Sequence, residues 1–195
     1  NKCIIHQLMK IKIKKYKKVK STNEIALKLI KKNISEPTLI TSENQTKGRG
    51  RVGKKWISKK GNLFISLFFK FDQKKINFKQ FAILNAFLLK KVLSKTIPKK
   101  IKIKWPNDLI YNREKLCGIL QEVIKYNHLN FLIVGIGLNT NNAPNNKSFL
   151  STCLKDIIRN KINNGAIISN IKKGYEKFLV ETEKSSFTVL KRRYK

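Results

Sequence analysis

Three short segments hold the residues best suited to chemistry. The first is Gly48-Arg49-Gly50-Arg51-Val52-Gly53-Lys54-Lys55-Trp56. Its glycines free the backbone to take positive φ and to approach a ligand closely. The two arginines between them are permanently charged, planar donors suited to phosphate or carboxylate. The glycine spacing fits neither a Walker loop nor a dinucleotide fingerprint. A basic surface hairpin and an RGG-like RNA-binding segment are the alternatives. The second segment is Lys104-Trp105-Pro106-Asn107-Asp108, followed by Lys115-Leu116-Cys117-Gly118-Ile119-Leu120. A strand delivers Lys104, Pro106 bends the chain, and Asn107 and Asp108 face whatever lies at the strand end. A carboxylate beside an amide suits Mg²⁺, a polar nucleotide or an incoming amine. Lys115 opens the next strand across a short turn, so it and Asp108 can project into one site, and Gly118 lets a flat ligand lie on the backbone. The alternative is an ordinary hairpin with a surface ion pair. The third segment is Val134-Gly135-Ile136-Gly137-Leu138-Asn139-Thr140-Asn141. Two glycines two residues apart remove two side chains from one strand face, so something packs flat there. Asn139 adds an amide at the strand end. A bulged strand is the alternative.

The elements that must position these segments follow from hydrophobic spacing. Ile4–Val19 alternates in part and suits a half-exposed strand. Ser21-Thr22-Asn23-Glu24 precedes Ile25, Ala26, Leu29 and Ile30, apolar at helical spacing; Ser21 or Thr22 is the expected N-cap, and Glu24 completes a capping box with Ser21. Pro37 ends that helical region. Strands are expected at 38–42, 62–71, 101–105, 108–111, 115–124 and 130–137, the fourth and fifth joined by the turn Asn112-Arg113-Glu114. Helices are expected at 78–93, 152–160 and 167–183. Strands and helices are mixed and include hairpins, which points to an α+β fold rather than a parallel α/β sheet.

Composition narrows the function classes. The 195 residues fit one domain, and 41% apolar content supports a real core. No stretch approaches the ~18 consecutive apolar residues of a membrane span, and the basic start is not followed by an apolar secretory core. Cys3, Cys117 and Cys153 lie far apart, which excludes a disulfide scaffold or zinc ribbon and fits a reducing cytosol. The net charge of +33 raises nucleic acid as a partner. Yet lysines outnumber arginines 38 to 6 and are scattered, and Lys, Asn and Ile make up 84 residues. That pattern fits compositional drift toward AT-rich codons better than a binding surface, so no specific DNA partner is expected.

Together, in this order and spacing, the three segments resemble biotin–protein ligases. The family pattern is Ser-Thr-Asn, then G-R-G-R-x-G-R-x-W, K-W-P-N-D, a Lys with G-I-L, and G-I-G-x-N. Here it is met by Ser21-Thr22-Asn23, Gly48 to Trp56, Lys104 to Asp108, Lys115 with Gly118-Ile119-Leu120, and Gly135 to Asn139. The resemblance implies a mixed, largely antiparallel sheet flanked by helices, as in the catalytic domains related to class II aminoacyl-tRNA synthetases. It implies that residues 1–195 form one catalytic domain without the winged-helix domain of some members and without the usual C-terminal β-barrel. It implies a cytoplasmic, ATP-dependent ligase with biotin, ATP and Mg²⁺ as its small molecules. Biotin is first activated to biotinyl-5′-adenylate, then transferred to a lysine of the biotin carboxyl carrier domain of acetyl-CoA carboxylase. Lys115, Arg49, Arg51 and Asp108 are the implied catalytic residues. Ser21, Thr22, Asn23, Gln45, Gly48, Arg49, Arg51, Lys115, Gly118 and Gly135 are the implied biotin contacts. Lys104, Trp105, Asn107, Asp108 and Asn139 are the implied ATP contacts, and no protein metal-ligand set is assigned. Trp56 is expected to anchor the loop by packing. Lys54 stands where the family has a third loop arginine, keeping charge but losing bidentate geometry. A basic nucleic-acid-binding protein and a related lipoyl or octanoyl ligase or transferase are the competing readings.

Overall fold

A computed structural model describes residues 9–97, 101–145 and 149–195. The elements in chain order are β1 (Lys12–Val19), α1 (Thr22–Lys31), β2 (Thr38–Gln45), β3 (Leu63–Lys70), α2 (Phe78–Leu93), β4 (Lys102–Lys104), β5 (Asp108–Tyr111), β6 (Glu114–Tyr126), β7 (Leu129–Leu138), α3 (Leu154–Ile158), α4 (Asn164–Lys184) and α5 (Phe187–Tyr194). The strands form one seven-stranded sheet in the order β1-β2-β3-β7-β6-β5-β4. Every neighbouring pair is antiparallel except β1 and β2, which run parallel. A parallel pair needs a crossover, and α1 supplies it.

The sheet is covered on both faces, and this explains the unbroken apolar run of β3. Leu63, Ile65, Leu67 and Phe69 join the larger core beneath α2, α4 and α5. Phe68 points the other way, into a smaller core with Ala26 and Ile30 of α1 and with Phe131 and Ile133. Ser66, fully buried, interrupts the apolar run on the α1 face. One polar thread crosses the larger core: Tyr175 Oη donates to Asn85 Oδ1 at 2.9 Å, and Asn85 Nδ2 donates to Gln121 Oε1 at 2.6 Å. These bonds satisfy groups that would otherwise be costly to bury.

The expected mixed sheet flanked by helices is the architecture found. The helix 78–93 and the strand 108–111 agree with expectation to the residue. The first strand begins at Lys12; Ile4–Leu8 of the expected strand lie outside the described residues. Asn112 and Arg113 both take positive φ and make a two-residue hairpin between β5 and β6, the conformation that matches strand twist. Three expectations need correction. Ser21 is the N-cap of α1, but its side chain makes no capping hydrogen bond; the residue is buried and lines the cavity described below. A capping box does exist at α2, where Asn77 and Gln80 exchange side-chain and backbone bonds of 2.9 and 3.0 Å. The helix expected over 152–160 shrinks to α3, which ends at Arg159 in the left-handed region. Helix α5 was not expected; Leu190 and Tyr194 bury it against the core.

Among the described residues, no helix is long and apolar enough to cross a membrane. Cys117 and Cys153 are free and buried. Burial pushes the Cys117 thiol from about 9 up to about 12; Asp108 adds to the rise and Lys115 opposes it. The folded thiol keeps its proton where an unfolded one has lost it. Its contribution to stability is therefore complete below about pH 9 and is lost as pH rises toward about 12. Peptide mapping after a maleimide pulse near pH 8 should find Cys117 unlabelled in the native protein and labelled in urea. Equal labelling in both states would contradict its burial.

Candidate active site

Two rows of the sheet create a hollow on the α1 face. Gly118 of β6 lies directly opposite Gly137 of β7, and Gly137 is opposite Phe64 of β3. Two residues further along, Leu120, Gly135 and Ser66 make the next row. Three missing side chains lower the floor. The space they leave is taken by protein groups. A Cβ on Gly137 would stand 2.3 Å from Cε2 of Trp56, and one on Gly118 would stand 2.6 Å from Cζ3 of the same ring. A Cβ on Gly135 would stand 2.4 Å from Asn23 Oδ1. The indole of Trp56 thus caps one glycine pair and fixes the end of the arginine loop, as expected of a packing anchor.

The loop itself is a small hairpin. Gly48 O accepts from Trp56 N at 3.0 Å, Gly50 N donates to Lys54 O at 2.6 Å, and Arg49 bridges Lys55. Val52 and Gly53 at its tip both have positive φ, a conformation disfavoured for a β-branched residue such as valine. Two arginines tie the hairpin to the sheet. Arg49 Nη2 donates to Glu122 Oε2 at 2.7 Å, and Arg51 Nη1 donates to Asn107 Oδ1 at 3.1 Å. Asn107 is itself fixed, its Nδ2 donating to Ile119 O at 3.0 Å.

The expected meeting of Asp108 and Lys115 is found. Between β5 and β6 the register shifts at Leu109 and Ile110, and such an irregularity re-aims side chains. Lys115 Nζ lies 2.8 Å from Asp108 Oδ1, with both side chains about one-fifth exposed. The contact is ionic rather than an aligned hydrogen bond, since that oxygen, though buried, has no hydrogen-bond partner. The ammonium also sits 5.5 Å from the Trp56 ring centroid and 5.3 Å from that of Phe149. Aromatic faces attract a cation at this range.

The hollow is also lined with neutral polar groups. Gln45 Oε1 accepts from Thr22 N at 2.8 Å and from Thr22 Oγ1 at 3.1 Å. Ser66 Oγ donates to Thr22 Oγ1 at 2.7 Å and also touches Asn23 Oδ1. Asn23 Nδ2 donates to Glu122 Oε2 at 2.6 Å. The whole forms a cavity of about 300 Å³, within the range of small-molecule sites. A larger hollow of about 480 Å³ where β3 meets α4 carries none of the three motifs.

Of the residues singled out in sequence, Ser21, Thr22, Asn23, Gln45, Arg49, Arg51, Asn107, Asp108, Lys115, Gly118, Gly135 and Asn139 line this cavity. Gly48, Lys104 and Trp105 do not. Gly48 packs beneath the hairpin, where a Cβ would meet Ser58 Oγ and Trp56 O at 2.7 Å. Lys104 is exposed on β4. Trp105 is half exposed and stacks edge-on against Phe87 with centroids 6.0 Å apart. Asn139 is almost fully buried and spends its amide hydrogens on Lys115 O and Thr152 O, at 3.3 and 3.1 Å. Sequence reasoning missed Glu122, Ser66, Phe149 and Asn62. Asn62 Oδ1 receives the backbone N–H groups of Thr140, Asn141 and Asn142 at 2.9–3.1 Å. The signals for two of these were a single hydroxyl inside the run Leu63–Phe69 and an acid, Glu122, four residues after Gly118 on β6. Among the described residues, no cluster of three His, Cys, Asp or Glu could hold a metal ion.

A cavity that combines the cations Arg49, Arg51 and Lys115 with neutral hydrogen-bonding groups suits a small anionic compound. Residues 16–139 match the family model described as the biotin/lipoate A/B protein ligase family, and the chain belongs to that family. The bifunctional ligase/repressor BirA of Bacillus subtilis is 31% identical over 177 residues, covering 88% of this chain and 54% of that protein. The biotin–acetyl-CoA-carboxylase ligase of Paracoccus denitrificans is 32% identical over 127 residues, covering 64% of this chain and 52% of that protein. Among solved structures, the biotin protein ligase of Aquifex aeolicus in complex with biotin and ATP superposes with a TM-score of 0.77 at 30% identity, covering 90% of this chain and 73% of that one. The chain spans about half the length of the curated relatives it matches.

Proposed function

We propose that this chain is a biotin–protein ligase that makes biotinyl-5′-adenylate from biotin and ATP and then biotinylates a lysine of the biotin carboxyl carrier domain of acetyl-CoA carboxylase. The observation that carries the reading is the convergence of Arg49, Arg51 and Lys115 on the cavity that Thr22, Gln45 and Asn23 also line. A biotin carboxylate oxygen attacks the α-phosphorus and pyrophosphate leaves. The carrier amine then attacks the acyl carbon, and AMP leaves. Both steps build negative charge on phosphoryl or acyl oxygens, which cations placed beside them stabilise. The neutral groups suit the ureido ring of biotin, which needs a few placed hydrogen bonds in a mostly apolar pocket. Mg²⁺ enters with ATP as part of the substrate. Asp108 offers a carboxylate for that ion or for the attacking amine. The names of the relatives, one of them a carboxylase ligase and one solved with biotin and ATP, support the same reading.

The test is direct. The protein is incubated with biotin, ATP, Mg²⁺ and a biotin carrier domain, and the carrier is probed with streptavidin. Labelling that needs all four components is expected. Absence of label, or transfer of lipoate instead of biotin in a parallel reaction, would overturn the proposal.

A further inference from the structure

We infer that Glu122 is a positioning residue: it holds the guanidinium of Arg49 over the cavity before any ligand arrives. The inference rests on the ligase reading only for its kinetic consequence. The geometry stands alone. One oxygen, Glu122 Oε2, accepts from Arg49 Nη2 at 2.7 Å and from Asn23 Nδ2 at 2.6 Å. Asn23 is seated over Gly135 and touches Ser66, so it belongs to the floor. Arg49 bridges Lys55 and so belongs to the stem of the hairpin. Glu122 therefore joins floor and hairpin through a single carboxylate oxygen.

The chemistry explains why an acid stands where anions must bind. A neutral glutamine could hold Asn23 equally well, so only the negative charge adds something for Arg49. Arg49, Arg51 and Lys115 share one cavity and repel each other when it is empty. Asp108 offsets Lys115, and Glu122 offsets Arg49. The chain has 11 acids against 44 bases, so a counter-charge at this position is not a by-product of composition. With Arg49 pre-placed, the ordering cost of the hairpin is met before the ligand binds. Glu122 thus acts on binding rather than on the chemical step.

The experiment uses amide hydrogen exchange on the ligand-free protein. In Glu122→Gln the amides between Arg49 and Lys55 should exchange about fivefold faster, as expected for loss of a partly exposed ion pair. Those of β7 should be unchanged. The difference should shrink near 1 M salt, where the Debye length falls to about 3 Å. A double-mutant cycle separates positioning from plain structure: in an Arg49→Gln background, Glu122→Gln should have no further effect on the hairpin. A role through Asn23 alone would persist there and would overturn the inference, as would equal exchange in Glu122→Gln and wild type. No biotin or ATP is present, so this result stands whether or not the chain makes the adenylate. If it does, Glu122→Gln should raise KM for biotin about fivefold with kcat little changed. A fall in kcat at constant KM would place Glu122 in the chemical step and overturn the assignment.

Discussion

Lys115→Ala is expected to slow formation of biotinyl-5′-adenylate by about 10²–10³-fold, or roughly 2.7–4 kcal/mol, the usual cost of removing one fixed donor from a developing oxyanion. Lys115 is held from every side. Its backbone N donates to Leu150 O at 2.9 Å and its carbonyl accepts from Thr152 N at 3.0 Å. Its ammonium meets Asp108 at 2.8 Å and lies 5.5 and 5.3 Å from the ring centroids of Trp56 and Phe149. A cation so placed needs little reorganisation when charge develops beside it. The loss should fall on kcat and kcat/KM alike, since the interaction strengthens in the transition state. Asp108 would be left half-buried without its counter-charge, so part of the effect could come from a disturbed site. Lys115→Arg separates the two causes: it keeps the charge beside Asp108 but changes the shape of the donor. Biotin-dependent pyrophosphate release is the measurement. An unchanged rate in Lys115→Ala would remove Lys115 from the mechanism.

The parts of this fold that were legible in sequence are those fixed by local chemistry. Helix α2 reads from its own apolar spacing over Phe78–Leu93. The hairpin after β5 reads from Asn112 and Arg113, and the joint presence of Asp108 and Lys115 follows from that short turn. What stayed hidden depends on partners distant in sequence. Helix α5 carries three basic residues in its last turn and only eight residues in all; it is stable because Leu190 and Tyr194 reach a core built mainly from residues far earlier in the chain. The capping box expected at Ser21 and Glu24 is not made, and Ser21 instead lines a cavity assembled from β2, β6, β7 and the arginine hairpin. Glycines 118, 135 and 137 announced missing side chains, but nothing local could say that Trp56 and Asn23 would fill the gaps from 62 to 112 residues away. Glu122 was hidden for the same reason: its two partners, Asn23 and Arg49, are 99 and 73 residues distant.

Gly137→Ala tests the most constrained of these distant contacts. Its Cβ would fall 2.3, 2.6 and 2.7 Å from Cε2, Cζ2 and Nε1 of Trp56. These atoms belong to a rigid ring, so no small rotation of a side-chain end relieves the clash; either the strand or the indole must shift. Overpacking of this kind typically costs about 1–3 kcal/mol. The indole is the movable partner, because it sits on a hairpin whereas Gly137 is hydrogen-bonded between β3 and β6. Displacing it would carry Arg49 and Arg51 out of place, and a shift of about 1 Å at such groups can cost about a hundredfold in rate. Gly137→Ala is therefore expected to lower both urea stability and adenylate formation. Gly53→Ala makes a useful contrast: nothing lies within 4 Å of its Cβ, but φ is +71°, so its cost of about 1–2 kcal/mol would be backbone strain alone. The cause can be isolated in a Trp56→Ala background. There the ring is gone, and adding Gly137→Ala should cost almost nothing further in stability, giving a coupling energy about as large as the single-mutant penalty. If Gly137→Ala were as stable and active as the parent, or equally damaging with and without the ring, the packing of Trp56 on the glycine pair would not be what holds the hairpin over the site.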